Sequence, residues 1–182
     1  MKRSIIFGTV MAAAATIALF ATRPTSPDPS SDCERIYVGL IRQPSNTLSA
    51  LGLTGVGLFL ITRGNRRQRI LGIGVGIAGV GSVLAHATLH PVAMRLDGVG
   101  VAVASTAAIV ALSETGTNPR RLLIATVVLV AGIVFWTGSR TGHSWCDPAA
   151  PVGGHAVWHV LVAVATLIAA SALIRRDAEI KS

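Results

Sequence analysis

Six apolar runs, divided by short arginine-bearing breaks, restrict this chain to a bundle of helices in a membrane. The runs are Ser4–Thr22, Thr47–Thr62, Ile70–Ala87, Val92–Leu112, Leu122–Thr137 and Val152–Ile174. A helix needs about 20 apolar residues, within a range of about 17–25, to cross the hydrocarbon. Thr47–Thr62 and Leu122–Thr137 are slightly short, so their polar flanks are expected at the interface. No run alternates as a barrel strand does, and only helices or closed barrels satisfy the backbone in lipid. The expected fold is all-α, a polytopic membrane bundle of six helices. Composition agrees: 51% of residues are hydrophobic and 13% charged, against about 25% charged in an average soluble domain.

Lys2 and Arg3 precede the first run, which reads as a signal anchor or a signal peptide over residues 1–22. Cleavage after Ala21 would leave Leu19 and Phe20 ahead of the cut, a poor small-x-small site. Residues 23–46 form an exported polar segment stiffened by Pro24, Pro27 and Pro29. Residues 47–176 hold the bundle, and 177–182 form a cytoplasmic tail.

The basic residues orient the bundle. With the N-terminus inside, the inner segments hold Lys2, Arg3, Arg63, Arg66, Arg67, Arg69, Arg120, Arg121, Arg175, Arg176 and Lys181. The outer side holds Arg23, Arg35, Arg42, Arg95 and Arg140. This is the sense of the positive-inside bias, and removing one helix from the count would scramble it. The expected location is a bacterial inner membrane with both termini cytoplasmic. The net charge of +8 comes from these clusters rather than from a basic and aromatic recognition surface. Nucleic acid is therefore not expected as a partner.

This topology places separated polar residues at one depth. Ser82, His86 and His90 fall at the outer end of one span, Asp97 near the outer end of the next, and His155 and His159 at the start of the last. Cys33 and Cys146 fall on the same side, in an oxidising compartment where they can pair. The alternative is two separate interfacial thiols. The cysteines have no metal-like spacing such as CxxC.

Residues four apart share a helix face, so His155 and His159 can hold one ion, and Ser82 points where His86 points. Ionisable groups at membrane depth face a partner or a cavity. Three imidazoles with an open position make a catalytic zinc site on the periplasmic or extracellular side. Asp97 is then suited to accept a proton from water or to orient a ligand, and Ser82 to donate to an oxygen. His90, beside Pro91, and His143, in an outer loop, read as hydrated bystanders. A b-type haem protein is a different reading of the histidines, but it leaves Ser82 and Asp97 without a role. A proton- or metal-coupled carrier would place acids at mid-membrane, whereas Asp97 sits toward one end.

At these residues the sequence resembles the alkaline ceramidase family, part of a membrane hydrolase group that includes adiponectin-receptor-like proteins. The family pattern of Ser-x3-His, a following Asp, and a distant His-x3-His reads here as Ser82, His86, Asp97, His155 and His159. Gly154-His-Ala-Val-Trp-His-Val160 looks like its last-helix signature. Asp32-Cys-Glu34 and Asn46-Thr-Leu-Ser49 look like its N-terminal elements. The resemblance implies zinc on His86, His155 and His159, with Ser82 and Asp97 assisting. It also implies hydrolysis of a ceramide-like or other N-acylated membrane lipid to a fatty acid and an amine, and a Cys33–Cys146 disulfide. Asp32 and Glu34 would be the remnant of the family's calcium site, where Ile36 and Gln43 replace oxygen-rich ligands; calcium itself is not expected. Family members have seven spans, whereas the interval 98–154 has room for one where the family has three. The lipid cavity is then reduced, or completed by another subunit of a homo-oligomer.

Overall fold

The computed structural model describes residues 32–113 and 117–173. They form five helices: α1 (Pro44–Arg63), α2 (Arg66–Thr88), α3 (Pro91–Ser113), α4 (Pro119–Gly138) and α5 (Gly154–Ala172). No strand occurs among the described residues. All five helices are long and apolar enough to cross a membrane, which makes this a membrane-embedded helical protein. The sixth expected helix, Ser4–Thr22, lies outside the described residues, as does the tail at 177–182.

Local chemistry sets the helix ends. The two short apolar runs become 20-residue helices because polar flanks join them: Pro44 to Asn46 in α1, and Pro119 to Arg121 in α4. Proline suits the first helical turn, whose N–H groups have no partner within the helix. Asn65 opens α2 with a capping box shared with Gln68, and Asn118 caps α4 through the N–H groups of Arg120 and Arg121. Leu89 takes a left-handed conformation (φ 52°) and closes α2 just before Pro91 starts α3. The last helix begins at Gly154 rather than Val152, because Gly153 is extended (ψ 159°) and serves as its N-cap.

The helices form a row in the order α3, α2, α1, α5, α4, so the outermost two are α3 and α4. Small residues let the backbones approach. A Cβ on Gly57 would lie 2.5 Å from the Gly76 Cα, bringing α1 onto α2. On another face of α2, Gly74, Ala78 and Gly81 meet Ala104, Gly100 and Asp97 of α3. Lipid tails are as apolar as the side chains, so close packing rather than burial from water drives such contacts. Gly100→Leu places a Cβ 2.5 Å from the Ala78 Cα. It is expected to destabilise the fold by about 1–3 kcal/mol, the usual cost of overpacking. Gly55→Leu, where a Cβ meets nothing within 4 Å, is the matched control in a thermal-unfolding series.

The end of the row away from the histidines is tied by hydrogen bonds. A helix leaves its last carbonyls without partners in the helix. The last three carbonyls of α5 and that of its C-cap, Leu173, find donors elsewhere. Gln68 Nε2 donates to Ala170 O (2.9 Å) and Arg121 Nη1 to Ser171 O (2.7 Å). The Asn118 N–H donates to Ala172 O (3.1 Å), and Asn65 Nδ2 to Leu173 O (3.2 Å).

Candidate metal centre

His86 lies in the last turn of α2, and His155 and His159 occupy the first turns of α5. All three are buried, and one nitrogen of each lies within 4.8 Å of the other two. The His86 and His155 Nε2 atoms are 3.1 Å apart. The ring centroids lie 4.6–5.3 Å from one another and the rings meet at steep angles.

The far nitrogen of each ring has its own oxygen. His86 Nδ1 lies 2.7 Å from Gln43 Oε1, His159 Nδ1 lies 2.8 Å from Ser49 Oγ, and His155 Nδ1 lies 3.3 Å from Asp32 Oδ1. Gln43 Oε1 and Asp32 Oδ1 accept only. The Ser49 hydroxyl donates to Asn46 O (3.0 Å), which leaves its oxygen to accept from His159. The Nδ1 atoms of His86 and His159 therefore carry the ring proton, the Asp32 carboxylate beside His155 favours the same tautomer there, and each Nε2 then presents a lone pair to the shared centre. Two lone pairs facing each other at 3.1 Å repel unless a cation lies between them. On tetrahedral zinc, two nitrogens at about 2.0–2.1 Å stand roughly 3.3 Å apart. The donor set, its convergence and its outer partners thus fit a metal ion.

The chain feeding the site explains how these groups are held. Gln43 is the N-cap residue of α1 but makes no side-chain cap, because its carboxamide is turned to His86. Glu34 takes over the capping: its two oxygens accept from the N–H groups of Ser45 (2.7 Å) and Asn46 (3.0 Å). Burial pushes the Glu34 carboxyl above its ordinary value; the two N–H groups pull it down, and the Asp32 charge pushes it up. Glu34 thus binds its proton more tightly in the folded chain, so its contribution to stability declines as pH rises through that raised value. A disulfide joins Cys33, between Asp32 and Glu34, to Cys146 in the turn before α5, with Cα atoms 5.5 Å apart.

The expected residues divide as follows. His86, His155 and His159 come together, and the Ser82 hydroxyl joins them, 3.1 Å from His159 Nε2. Asp97 is half-buried on α3 with its main chain against Gly81, beside Ser82, but outside the group of converging ligand atoms. His90 is exposed and its Nδ1 accepts from the Val92 N–H at the start of α3. His143 is exposed in the α4–α5 turn. Asp32 and Glu34, read together as a calcium remnant, part company: one faces His155 and the other caps α1. Gln43 and Ser49 were not expected at the site. The signal for Ser49 was present in Asn46-Thr-Leu-Ser49, but without a partner.

The Asp32 contact has a measurable consequence. Groups that orient a ligand imidazole are worth about 10–100-fold in metal affinity. Asp32→Ala is expected to lose that factor in chelator competition, and Asp32→Asn, which keeps an acceptor oxygen, to recover part of it.

No family model, curated protein or solved structure matches the chain.

Proposed function

We propose that this protein is a zinc-dependent membrane amidase, acting on a ceramide-like or other N-acylated lipid and releasing a fatty acid and an amine. The observation that carries the reading is the convergence of three buried imidazoles beside the Ser82 hydroxyl at one end of a membrane bundle. The motif likeness to alkaline ceramidases supports the same reaction.

His86, His155 and His159 would hold zinc, which supplies a Lewis acid for the amide carbonyl and water ionised near neutral pH. Gln43, Asp32 and Ser49 keep the three rings in one tautomer. Ser82 Oγ donates to the carbonyl oxygen as it gains negative charge. Asp97 takes a proton from the attacking water on its carboxylate and returns it to the departing nitrogen, so that water is divided between acid and amine. Ser82 and His86 come from α2, His155 and His159 from α5, and Asp97 from α3.

The site faces the periplasm or exterior in this reading, because the basic clusters Arg63–Arg69 and Arg120–Arg121 lie at the opposite helix ends. A haem reading fits the geometry less well. Axial imidazoles on opposite faces of a haem stand about two metal–nitrogen bonds, roughly 4 Å, apart with a macrocycle between them. Here the two nitrogens are 3.1 Å apart and the rings meet in a T-shaped arrangement with centroids 4.8 Å apart.

Membranes containing the wild-type chain are expected to convert an N-acylated lipid to fatty acid and amine, and membranes containing Ser82→Ala to do so far more slowly at equal zinc content. Lipid profiles of the two preparations check this. A wild-type preparation that carries zinc yet consumes no amide lipid would sink the amidase assignment.

A further inference from the structure

We propose that the loop Arg35–Arg42 is a lipid-interface anchor, seated in the headgroup layer of the leaflet at the histidine end. Every residue in it is exposed. Five of them are large and apolar: Ile36, Tyr37, Val38, Leu40 and Ile41. Leu40 is 94% exposed and Val38 fully so. A contiguous apolar patch of this kind marks a surface that is covered in use.

The loop cannot fold back to cover itself. One end is fixed by the Cys33–Cys146 disulfide and by Asp32 at His155. The other is fixed by the N–H groups of Arg42 and Gln43, which donate to Ala87 O (2.9 Å) and His86 O (3.1 Å) at the end of α2. The Tyr37 N–H closes the loop on Arg42 O (2.9 Å). Gly39 makes its tip with φ 149°, where a Cβ would meet nothing within 4 Å.

Three features identify lipid as the occupant. The loop leads into α1 and is hydrogen-bonded to the last turn of α2, and exposed Leu48, Leu51 and Leu84 of these membrane-length helices already face outward. Its apolar stretch therefore continues a lipid-facing surface. Exposed Arg35 and Arg42 border it on each side, placed for phosphate contact while the middle enters the apolar boundary. Tyr37 and, across the disulfide, the half-exposed Trp145 supply the amphipathic rings that concentrate at this depth. The loop is thereby a membrane-facing element whose two ends carry partners of His155 and His86.

The test needs no assumption about the reaction. The two native cysteines are joined to each other, so a single new thiol labels selectively without reductant. Leu40→Cys and Val38→Cys are labelled with an environment-sensitive dye in vesicles of phosphatidylcholine and phosphatidylglycerol. The expected result is quenching by spin-labelled lipids, placing the dye about 5–10 Å into the headgroup and acyl boundary, with weak quenching by aqueous iodide. Strong iodide quenching at both positions would overturn the proposal in favour of a water-exposed loop. Shielding from iodide and lipid quenchers alike would overturn it in favour of a protein partner.

Discussion

His86→Ala is expected to purify without metal, whereas the wild-type chain carries about one ion. The loss should exceed the 10–100-fold typical of an outer partner, because one of three converging donors is removed outright. His155 Nε2 then faces no nitrogen at 3.1 Å, and Gln43 loses the ring it holds. His90→Ala is the internal control, since that ring is exposed and serves only the first turn of α3. Metal analysis of the two variants decides the point. Equal metal in His86→Ala and wild type would show that the three histidines are not the binding group. Stripping the wild type with a chelator should also lower its unfolding temperature. An ion that binds only the folded state at about 100 times its Kd adds roughly 2.7 kcal/mol.

The second large effect is expected from Cys33→Ser with Cys146→Ser. The disulfide spans 113 residues of sequence. The chain-entropy account assigns about 4.7 kcal/mol to a loop of roughly 100 residues, and losses of about 2–5 kcal/mol are usual. Here stability and metal affinity should fall together. Cys33 lies between the carboxyl at His155 and the carboxyl that caps α1, so releasing it loosens both. Unfolding scans and chelator competition on the same samples measure the two losses. Reductant should reproduce them in wild type and leave the double variant unchanged. A variant that loses stability but keeps full metal affinity would show that Asp32 holds its place without the bond.

Much of the bundle was legible because membrane length is a local property. Each apolar run could be counted against bilayer thickness, whereas the polar residues that Pro44 and Pro119 bring into α1 and α4 came only with the structure. The histidine pairings were legible for the same reason: a four-residue spacing means one face whatever the rest of the chain does. Gln43 and Ser49 were not legible as partners. Their contacts depend on how α1 lies against α2 and α5, and no spacing within α1 encodes that. Asp32 shows the limit from the other side. Two carboxylates flanking a cysteine look alike in sequence, and only the fold sends one to His155 and the other to the N–H groups of Ser45 and Asn46. Asp97 lies beyond the break at Leu89, His90 and Pro91, so its distance along the chain from His86 fixes a depth but not a direction.

The bonds at the far end of α5 have a mechanical consequence. All three histidines sit on α2 and α5, and these two helices are joined at their opposite ends through Asn65 and Gln68. The pair is pinned near one membrane surface and carries its histidines near the other, with α1 packed between the shafts. With the histidines about 30 Å from the pinned end at roughly 1.5 Å per residue, a swing of about 1° changes their separation by roughly half an ångström. The spacing of the three histidine nitrogens is thus sensitive to a motion too small to disturb the packing along the shafts.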